Sequence, residues 1–197
     1  MKYRVFFLSC CLSAPVFAES AKEQLAETIA ASDCLAANFV QVMSDTDGEV
    51  LQESRGTVSA DTPRKLNWVI AAPDNQRIVS DGVTLWRYES DLDQVIISDI
   101  SSHTTLPLDV LSGSPEALSQ YEISVNDGVY SLIPLREGNY FNRLEITFND
   151  ANQLGSINIV DNFDQLSAIT FEHQNWDCSA LRQYQFEPPE GIDVIFE

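Results

Sequence analysis

Short runs of alternating apolar and polar residues fill most of the chain and predict a β protein. The clearest run is 143–148, in which Leu144, Ile146 and Phe148 share one face because strand side chains alternate with period two. A strand-like pattern also begins at Leu35. The other predicted strands are 56–60, 65–71, 77–80, 83–88, 94–98, 121–125, 129–135, 156–160, 167–171 and 181–186.

Turn signals separate these runs at hairpin spacing. Asp-Gly pairs stand at 47–48, 81–82 and 127–128, and both residue types tolerate the positive φ that tight hairpin turns require. Consecutive strands joined in this way form an antiparallel meander. About eleven such strands in one domain predict a mainly β (α+β) fold, curled into a barrel or part of one.

Two regions carry helical signals. Ser20 and Glu23 have the spacing of a capping box, and Leu25 and Ile29 follow on one face, which predicts a helix to about residue 32. Between residues 103 and 119 the chain is apolar, and Ser114 followed by Pro115 favours a helix start. Two short helices are expected there, and they must cover an apolar surface because they are too short to be stable alone.

The first residues read as a secretion signal. Lys2 and Arg4 precede an apolar run over 5–17, and the small-residue pattern at 16–18 predicts cleavage before Glu19. We therefore expect a signal peptide over 1–18 and a single domain over 19–197. The alternative is lipoprotein processing at Cys10 or Cys11, but it leaves an apolar segment shorter than usual.

Charge and cysteine content narrow the class of protein further. The formal net charge is −19, so the surface repels nucleic acid and no nucleic-acid partner is expected. The mature chain keeps Cys34 and Cys178. Two cysteines near opposite ends of a secreted domain suggest a disulfide, and two buried free thiols are the alternative.

Catalytic and metal-binding motifs do not emerge from the sequence. It contains no nucleophile-elbow, phosphate-loop or dinucleotide-binding motif, and the only histidines are His103 and His173. His173 has Glu172, Asp177 and Cys178 nearby, but their spacing matches no common metal-ligand pattern. We expect no enzyme activity, no catalytic residue, no metal and no cofactor.

Several segments of the sequence resemble segments of the LolA family of periplasmic outer-membrane lipoprotein carriers, and they occur in the same order along the chain. They are NFVQ at 38–41, PRKLNW at 63–68, IVSDG at 78–82, LWxY at 85–88, PLDVLSG at 107–113 and FxPPxGIDV at 186–194. The resemblance implies an incomplete antiparallel β-barrel whose mouth is covered by helices, around an apolar cavity for acyl chains. It also implies a monomeric periplasmic carrier that takes lipoproteins from an inner-membrane ABC transporter to an outer-membrane receptor.

The resemblance also implies roles for particular residues. The sequence predicts no second sheet and no long helices that would bury the apolar side chains of a single sheet. We therefore expect the following residues to line a cavity rather than an ordinary core: Phe39, Leu66, Trp68, Ile70, Trp86, Tyr88, Leu144, Ile146 and Phe148. The lid helices would contribute Leu106, Leu108, Val110, Leu111 and Leu118. Trp86 and Tyr88 are expected on the concave side, with Val83 and Leu85 on the opposite face.

One position departs from the family pattern. The family often carries an arginine just before the proline that corresponds to Pro63, where it helps to latch the lid, but this chain has Thr62 there. Arg64 is the nearest arginine. It is the candidate replacement, on the argument that positions two apart on a strand share a face.

Two other functions fit the same sequence features. One is the lipid-anchored outer-membrane receptor, a related barrel, which would need an acylated Cys10 or Cys11. The other is a generic periplasmic binder of small apolar ligands, which would not exchange protein-linked lipid.

Overall fold

A computed structural model of the chain describes residues 20–31, 35–61, 64–100, 108–173 and 184–197. Its helices are α1 (Ala21–Ala30), α2 (Leu108–Leu111) and α3 (Pro115–Leu118). Its strands are β1 (Leu35–Ser44), β2 (Val50–Asp61), β3 (Lys65–Ala72), β4 (Gln76–Asp81), β5 (Thr84–Glu89), β6 (Gln94–Asp99), β7 (Tyr121–Asn126), β8 (Val129–Pro134), β9 (Phe141–Phe148), β10 (Leu154–Asp161), β11 (Leu166–His173) and β12 (Asp193–Phe196).

All the described strands form one sheet in the order β12-β6-β5-β4-β3-β2-β1-β11-β10-β9-β8-β7. Neighbours are antiparallel except β12, which runs parallel to β6. The strands β7 and β12 form the two edges, so the sheet is open rather than a closed barrel. This confirms the predicted mainly β, incomplete barrel, with twelve described strands instead of about eleven.

The hairpin turns follow the predicted chemistry. Asp127 and Gly128 both have positive φ, at 48° and 79°, as a two-residue hairpin turn requires. In the β4–β5 turn, the Asp81 carboxylate accepts hydrogen bonds from the backbone N–H groups of Val83 and Thr84 at 2.9 and 2.8 Å. Such local contacts fix the register of the hairpins that these turns close.

The helix starts also match the sequence signals. Ser20 caps α1 by accepting from the Glu23 N–H, while the Glu23 carboxylate accepts from the Ser20 N–H at 3.0 Å. Ser114 caps α3 by accepting from the Ala117 N–H at 3.2 Å. The helix α1 ends at Ala30, slightly before the predicted limit, and residue 32 lies outside the described residues.

One face of the sheet, here called the inner face, carries the main core. Directly paired residues lie on the same face of a sheet, which places Phe39 beside Phe171 and Gly56. The core joins this face to the helices through Leu25 and Ile29 of α1. Other buried members on the strands are Ala37, Val58, Leu66, Leu132, Phe141, Leu144, Ile146, Leu154, Ile157 and Ile169. Because α1 and α3 pack on β7, the helices lie at that end of the sheet.

The opposite face, here called the outer face, is covered near β4–β6 by the C-terminal segment. Tyr184 is buried, and the Phe186 ring lies 5.4 Å from the ring of Tyr88, centroid to centroid. The Arg77 guanidinium stands 5.7 Å from the centroid of the same phenylalanine ring. The chain then reaches β12, whose Asp193 N–H donates to the Asp93 carbonyl at 2.9 Å.

The prediction of a strand over 181–186 was wrong for its described part. Residues 184–189 belong to no strand or helix, and residues 181–183 lie outside the described residues. Pro188 and Pro189 have no N–H groups to donate to a ladder. Phe186 packs on Tyr88 of the sheet instead, and the strand forms later, at β12.

Candidate functional site

The candidate site begins where the buried core of the inner face becomes accessible. Phe39 is almost fully buried, and its ring lies 4.2 Å from the Trp68 ring, centroid to centroid, at an interplanar angle of 38°. Trp68 also makes an edge contact with Phe171 at 6.3 Å. Because Trp68, Ile70 and Ile78 are only half-buried, they extend the core into a surface that an apolar ligand can contact.

The other half of the inner face is more deeply buried. Leu144 and Ile146 are fully buried, as is Leu66 on the first half, while Phe148 is half-buried and meets the Tyr130 ring edge-on at 5.9 Å. The structure therefore brings seven of the predicted cavity residues to one face: Phe39, Leu66, Trp68, Ile70, Leu144, Ile146 and Phe148. Their role in ligand binding stays a prediction.

The predicted facing of Trp86 and Tyr88 was wrong. Ile78 lies on the inner face beside Trp68, and its partner on β5 is Arg87. Alternation then places Trp86 and Tyr88 on the outer face, where Val79 pairs with Trp86.

Leu85 is buried on the inner face, opposite to its expected side, and Val83 is 66% exposed in the β4–β5 turn. The outer face can hold large aromatic side chains because the C-terminal segment covers it. Each face of β5 therefore carries large apolar side chains for a different reason: Leu85 is buried on the inner face, and Tyr88 packs against Phe186 on the outer face.

The predicted lid residues are partly described. Val110 and Leu118 are fully buried, and Leu111 packs against the same core. The turn between α2 and α3 lies close to α1, since a Cβ on Gly113 would approach Ile29 Cγ2 to 3.0 Å. Leu106 and the side chain of Leu108 lie outside the described residues. The described residues thus pack as helices on the core, and their movement as a lid stays a prediction.

Of the two candidate latch residues, Thr62 and Arg64, the structure describes only Arg64. Arg64 occupies a turn between β2 and β3 with φ of 56°, while Thr62 and Pro63 lie outside the described residues. The argument that positions 62 and 64 share a strand face was wrong, because Arg64 is not on a strand. A latch role for Arg64 stays a prediction without that geometric support.

Several other sequence predictions fall where the structure is not described. Cys34, Cys178, Asp177 and residues 1–19, with the predicted signal peptide, are among them, as is the side chain of His173. Within the described ranges, no group of three or more His, Cys, Asp or Glu side chains could hold a metal ion. None of the described helices is long and apolar enough to cross a membrane.

Sequence reasoning did not predict that polar side chains lie beside the apolar surface of the inner face. Arg87 Nε lies 3.6 Å from Glu89 Oε1, and Gln76 Nε2 donates to the same carboxylate at 3.3 Å. Gln76 and Glu89 also line a pocket of about 360 Å³ with Ile70, Gln52, Asp74, Asn75, Asp91 and Leu92. The signal was present in the sequence, because Arg87 stands between Trp86 and Tyr88 and must face the opposite side from both.

Comparison with known proteins decides the family. Residues 30–187 match the family described as outer membrane lipoprotein carrier protein LolA. The chain belongs to the LolA family. A LolA-family relative from Chromohalobacter salexigens, named outer-membrane lipoprotein carrier protein, is 34% identical over 183 residues, covering 89% of this chain and 86% of the relative. A relative of the same name from Azotobacter vinelandii is 30% identical over 208 positions, with 99% of both chains covered.

A solved structure supports the fold of this LolA-family chain. A conserved, uncharacterised protein from Thermus thermophilus matches with a TM-score of 0.50 and 14% sequence identity. The match covers 90% of this chain and 100% of the other. At this identity the likeness shows the fold alone.

Proposed function

We propose that this chain is a periplasmic carrier that shields the acyl chains of lipoproteins during their passage to the outer membrane. The observation that carries the proposal is the half-buried apolar surface of Trp68, Ile70 and Ile78, which continues directly from the core of the inner face. Membership of the LolA family and the names of its relatives support the same function. The function is binding and transport rather than catalysis.

The physical need for such a surface follows from the lipid. Each acyl methylene gains about 0.8 kcal/mol on leaving water, so an acylated protein does not cross an aqueous compartment unshielded. An open sheet with helices at one end offers an apolar face of adjustable packing. A carrier must also release its cargo, which requires that binding and release states differ modestly in free energy.

We extend the proposal to the two handover steps. The chain would accept lipoproteins from an inner-membrane ABC transporter and pass them to an outer-membrane receptor, acting as a monomer. Its strong negative charge would favour docking to basic surfaces on these partners.

Release of a lipoprotein from spheroplasts tests the proposal. Purified mature protein should recover a mature lipoprotein in a water-soluble complex. Ile78→Asn, on the half-buried inner surface, should lower this release severalfold, while Val83→Asn, at a residue 66% exposed, should leave it unchanged. If the folded wild-type protein releases no lipoprotein, the carrier function is wrong.

A second measurement separates the carrier from the receptor and the generic binder. Mass spectrometry of the mature N-terminus should find Glu19, whereas an acylated Cys10 or Cys11 would support the lipid-anchored receptor. A generic binder would take up free lipid and still release no lipoprotein from spheroplasts.

A further inference from the structure

Arg87 holds an unusual place on the inner face. The other lysines and arginines on the described strands, Arg55, Lys65, Arg77 and Arg143, all alternate onto the outer face. Arg87 pairs with Ile78 on one side and Ile96 on the other, and Ile78 in turn pairs with Trp68. A guanidinium therefore stands in a row of apolar side chains.

The hydrogen bonding of Arg87 is incomplete. Its Nε atom is buried and has no hydrogen-bond partner among the described residues. Glu89 Oε1, at 3.6 Å, is too far for a hydrogen bond although it is close enough for charge attraction. The side chain as a whole is 39% exposed, so atoms other than Nε present its accessible surface. A ligand can therefore supply acceptors only to the accessible part of this side chain.

The rows around Arg87 change from apolar to polar in one direction. The row of Trp68, Ile78 and Ile96 contains Arg87, and the next row along the strands passes from Ile70 to the polar residues Gln76, Glu89 and Gln94. Two residues along a strand span about 6.6 Å, which is close to the size of a glyceryl diester group. Acyl chains lying over Trp68 and Ile78 would therefore place the polar end of the lipid beside Arg87.

We propose that Arg87 anchors the cargo lipid by donating hydrogen bonds to the ester carbonyl oxygens at the glyceryl end of its acyl chains. This inference rests on the proposed carrier function and names the part of the ligand that one residue recognises. A guanidinium is suited to the task because it carries several donors in a fixed plane and does not lose its charge.

The neighbouring charges make this anchor selective for uncharged lipid ends. Glu89 balances the charge of Arg87, and Asp74 and Asp91 line the adjoining pocket. A ligand with a net negative headgroup meets these carboxylates and is repelled. A neutral glyceride ester offers acceptors to Arg87 without that cost.

A matched pair of ligands isolates the ester carbonyls. Dioctanoylglycerol carries two ester carbonyls, and the corresponding dioctyl ether of glycerol has the same shape without them. Each is titrated against the folded protein with bound 1-N-phenylnaphthylamine, and loss of probe fluorescence gives the affinity. The wild type should bind the ester about tenfold more tightly than the ether, as expected for loss of a hydrogen bond from a charged donor.

A matched pair of variants isolates Arg87. Arg87→Met keeps an unbranched apolar stem but removes the hydrogen-bond donors and the charge, and it should abolish the preference for the ester. Arg143→Met is the control, because Arg143 Nε contacts Glu145 Oε1 at 3.1 Å in the same two-residue spacing on the outer face. This variant should keep the preference.

The outcomes separate this inference from the carrier function. Equal affinity of the wild type for ester and ether, or an ester preference that survives in Arg87→Met, overturns the role of Arg87 while lipid binding itself stands. Tighter binding of dioctanoyl phosphatidylglycerol than of dioctanoylglycerol would also overturn it, since Arg87 would then bind an anion.

If neither glyceride displaces the probe from the wild type, the proposed carrier function is wrong, and the role of Arg87 falls with it. Should Arg87→Met not fold, equal affinity of the wild type for the ester and the ether still overturns the role of Arg87.

Discussion

Tyr88 and Phe186 pack with ring centroids 5.4 Å apart, on the face of the sheet opposite to Trp68. One residue belongs to β5 and the other to the C-terminal segment, so this contact attaches the last residues of the chain to the outer face. It also explains why a strand inside an open sheet can carry aromatic side chains on its outer side.

Phe186→Ala should detach this segment. The variant loses the aromatic pair and part of a buried surface, and we expect the free energy of unfolding to fall by about 2 kcal/mol. Urea denaturation measures the change. Phe163→Ala is the control, because Phe163 is 81% exposed and its removal should have no measurable effect. Equal stabilities of the two variants would contradict the packing role of Phe186.

Trp68 and Trp86 should respond differently to a bound lipid. The chain has three tryptophans, so single-tryptophan proteins can be made by replacing the other two with phenylalanine. A diacylglycerol with brominated chains should quench Trp68, on the inner face, strongly, and quench Trp86 little. The reverse order would place the lipid on the outer face and contradict the assigned site.

Gly56→Ala should destabilise the sheet severely. A Cβ at this position would lie 1.8 Å from the Val69 carbonyl oxygen and 3.0 Å from Phe39 Cε1, so backbone must shift. We expect a loss of about 3 kcal/mol or more in the free energy of unfolding. In the control Gly155→Ala, the nearest atom is Thr147 Oγ1 at 3.3 Å, and we expect a change of less than about 1 kcal/mol. Similar losses in both variants would show that the close approach at Gly56 is not the cause.

Ser20→Ala should raise the pKa of Glu23. Hydrogen bonds from the Ser20 backbone N–H, and then from its hydroxyl, hold the pKa of Glu23 below its ordinary value. Because the pKa is lower in the folded state, the stabilisation is present above the unfolded pKa and is lost as the pH falls through the folded pKa. NMR titration of the Glu23 side chain measures the shift. Ser114→Ala, at the cap of α3, should leave this titration unchanged.

Local sequence signals predicted the elements well because the forces behind them are local. The alternation of Leu144, Ile146 and Phe148 placed β9 within two residues of its observed start, at Phe141. Asp127 and Gly128 predicted a hairpin because they tolerate positive φ, and Ser20 and Glu23 predicted the start of α1 through contacts within one turn. The family resemblance added the open barrel, which the sheet order confirms.

The sequence-based predictions that were wrong or missing concern features that depend on packing between residues far apart in the chain. Alternation showed that Trp86 and Leu85 face opposite sides, but either side fitted the pattern. Only the pairing of β5 with β4 places Arg87 beside Ile78 on the inner face. The shift of the last strand to β12 has the same origin, since Phe186 finds its partner on a strand nearly a hundred residues earlier in the chain.

By itself, the sequence determined the type and spacing of the elements, the two-sided character of β5 and the family, because periodicity, turn chemistry and motifs are properties of neighbouring residues. Only the tertiary structure decided which face of β5 joins the core. That choice depends on which distant surface each side chain buries: Leu85 turns to the core side of the sheet, while Tyr88 is covered by the returning C-terminal segment. The same choice leaves Arg87 on the apolar face where a lipid would lie.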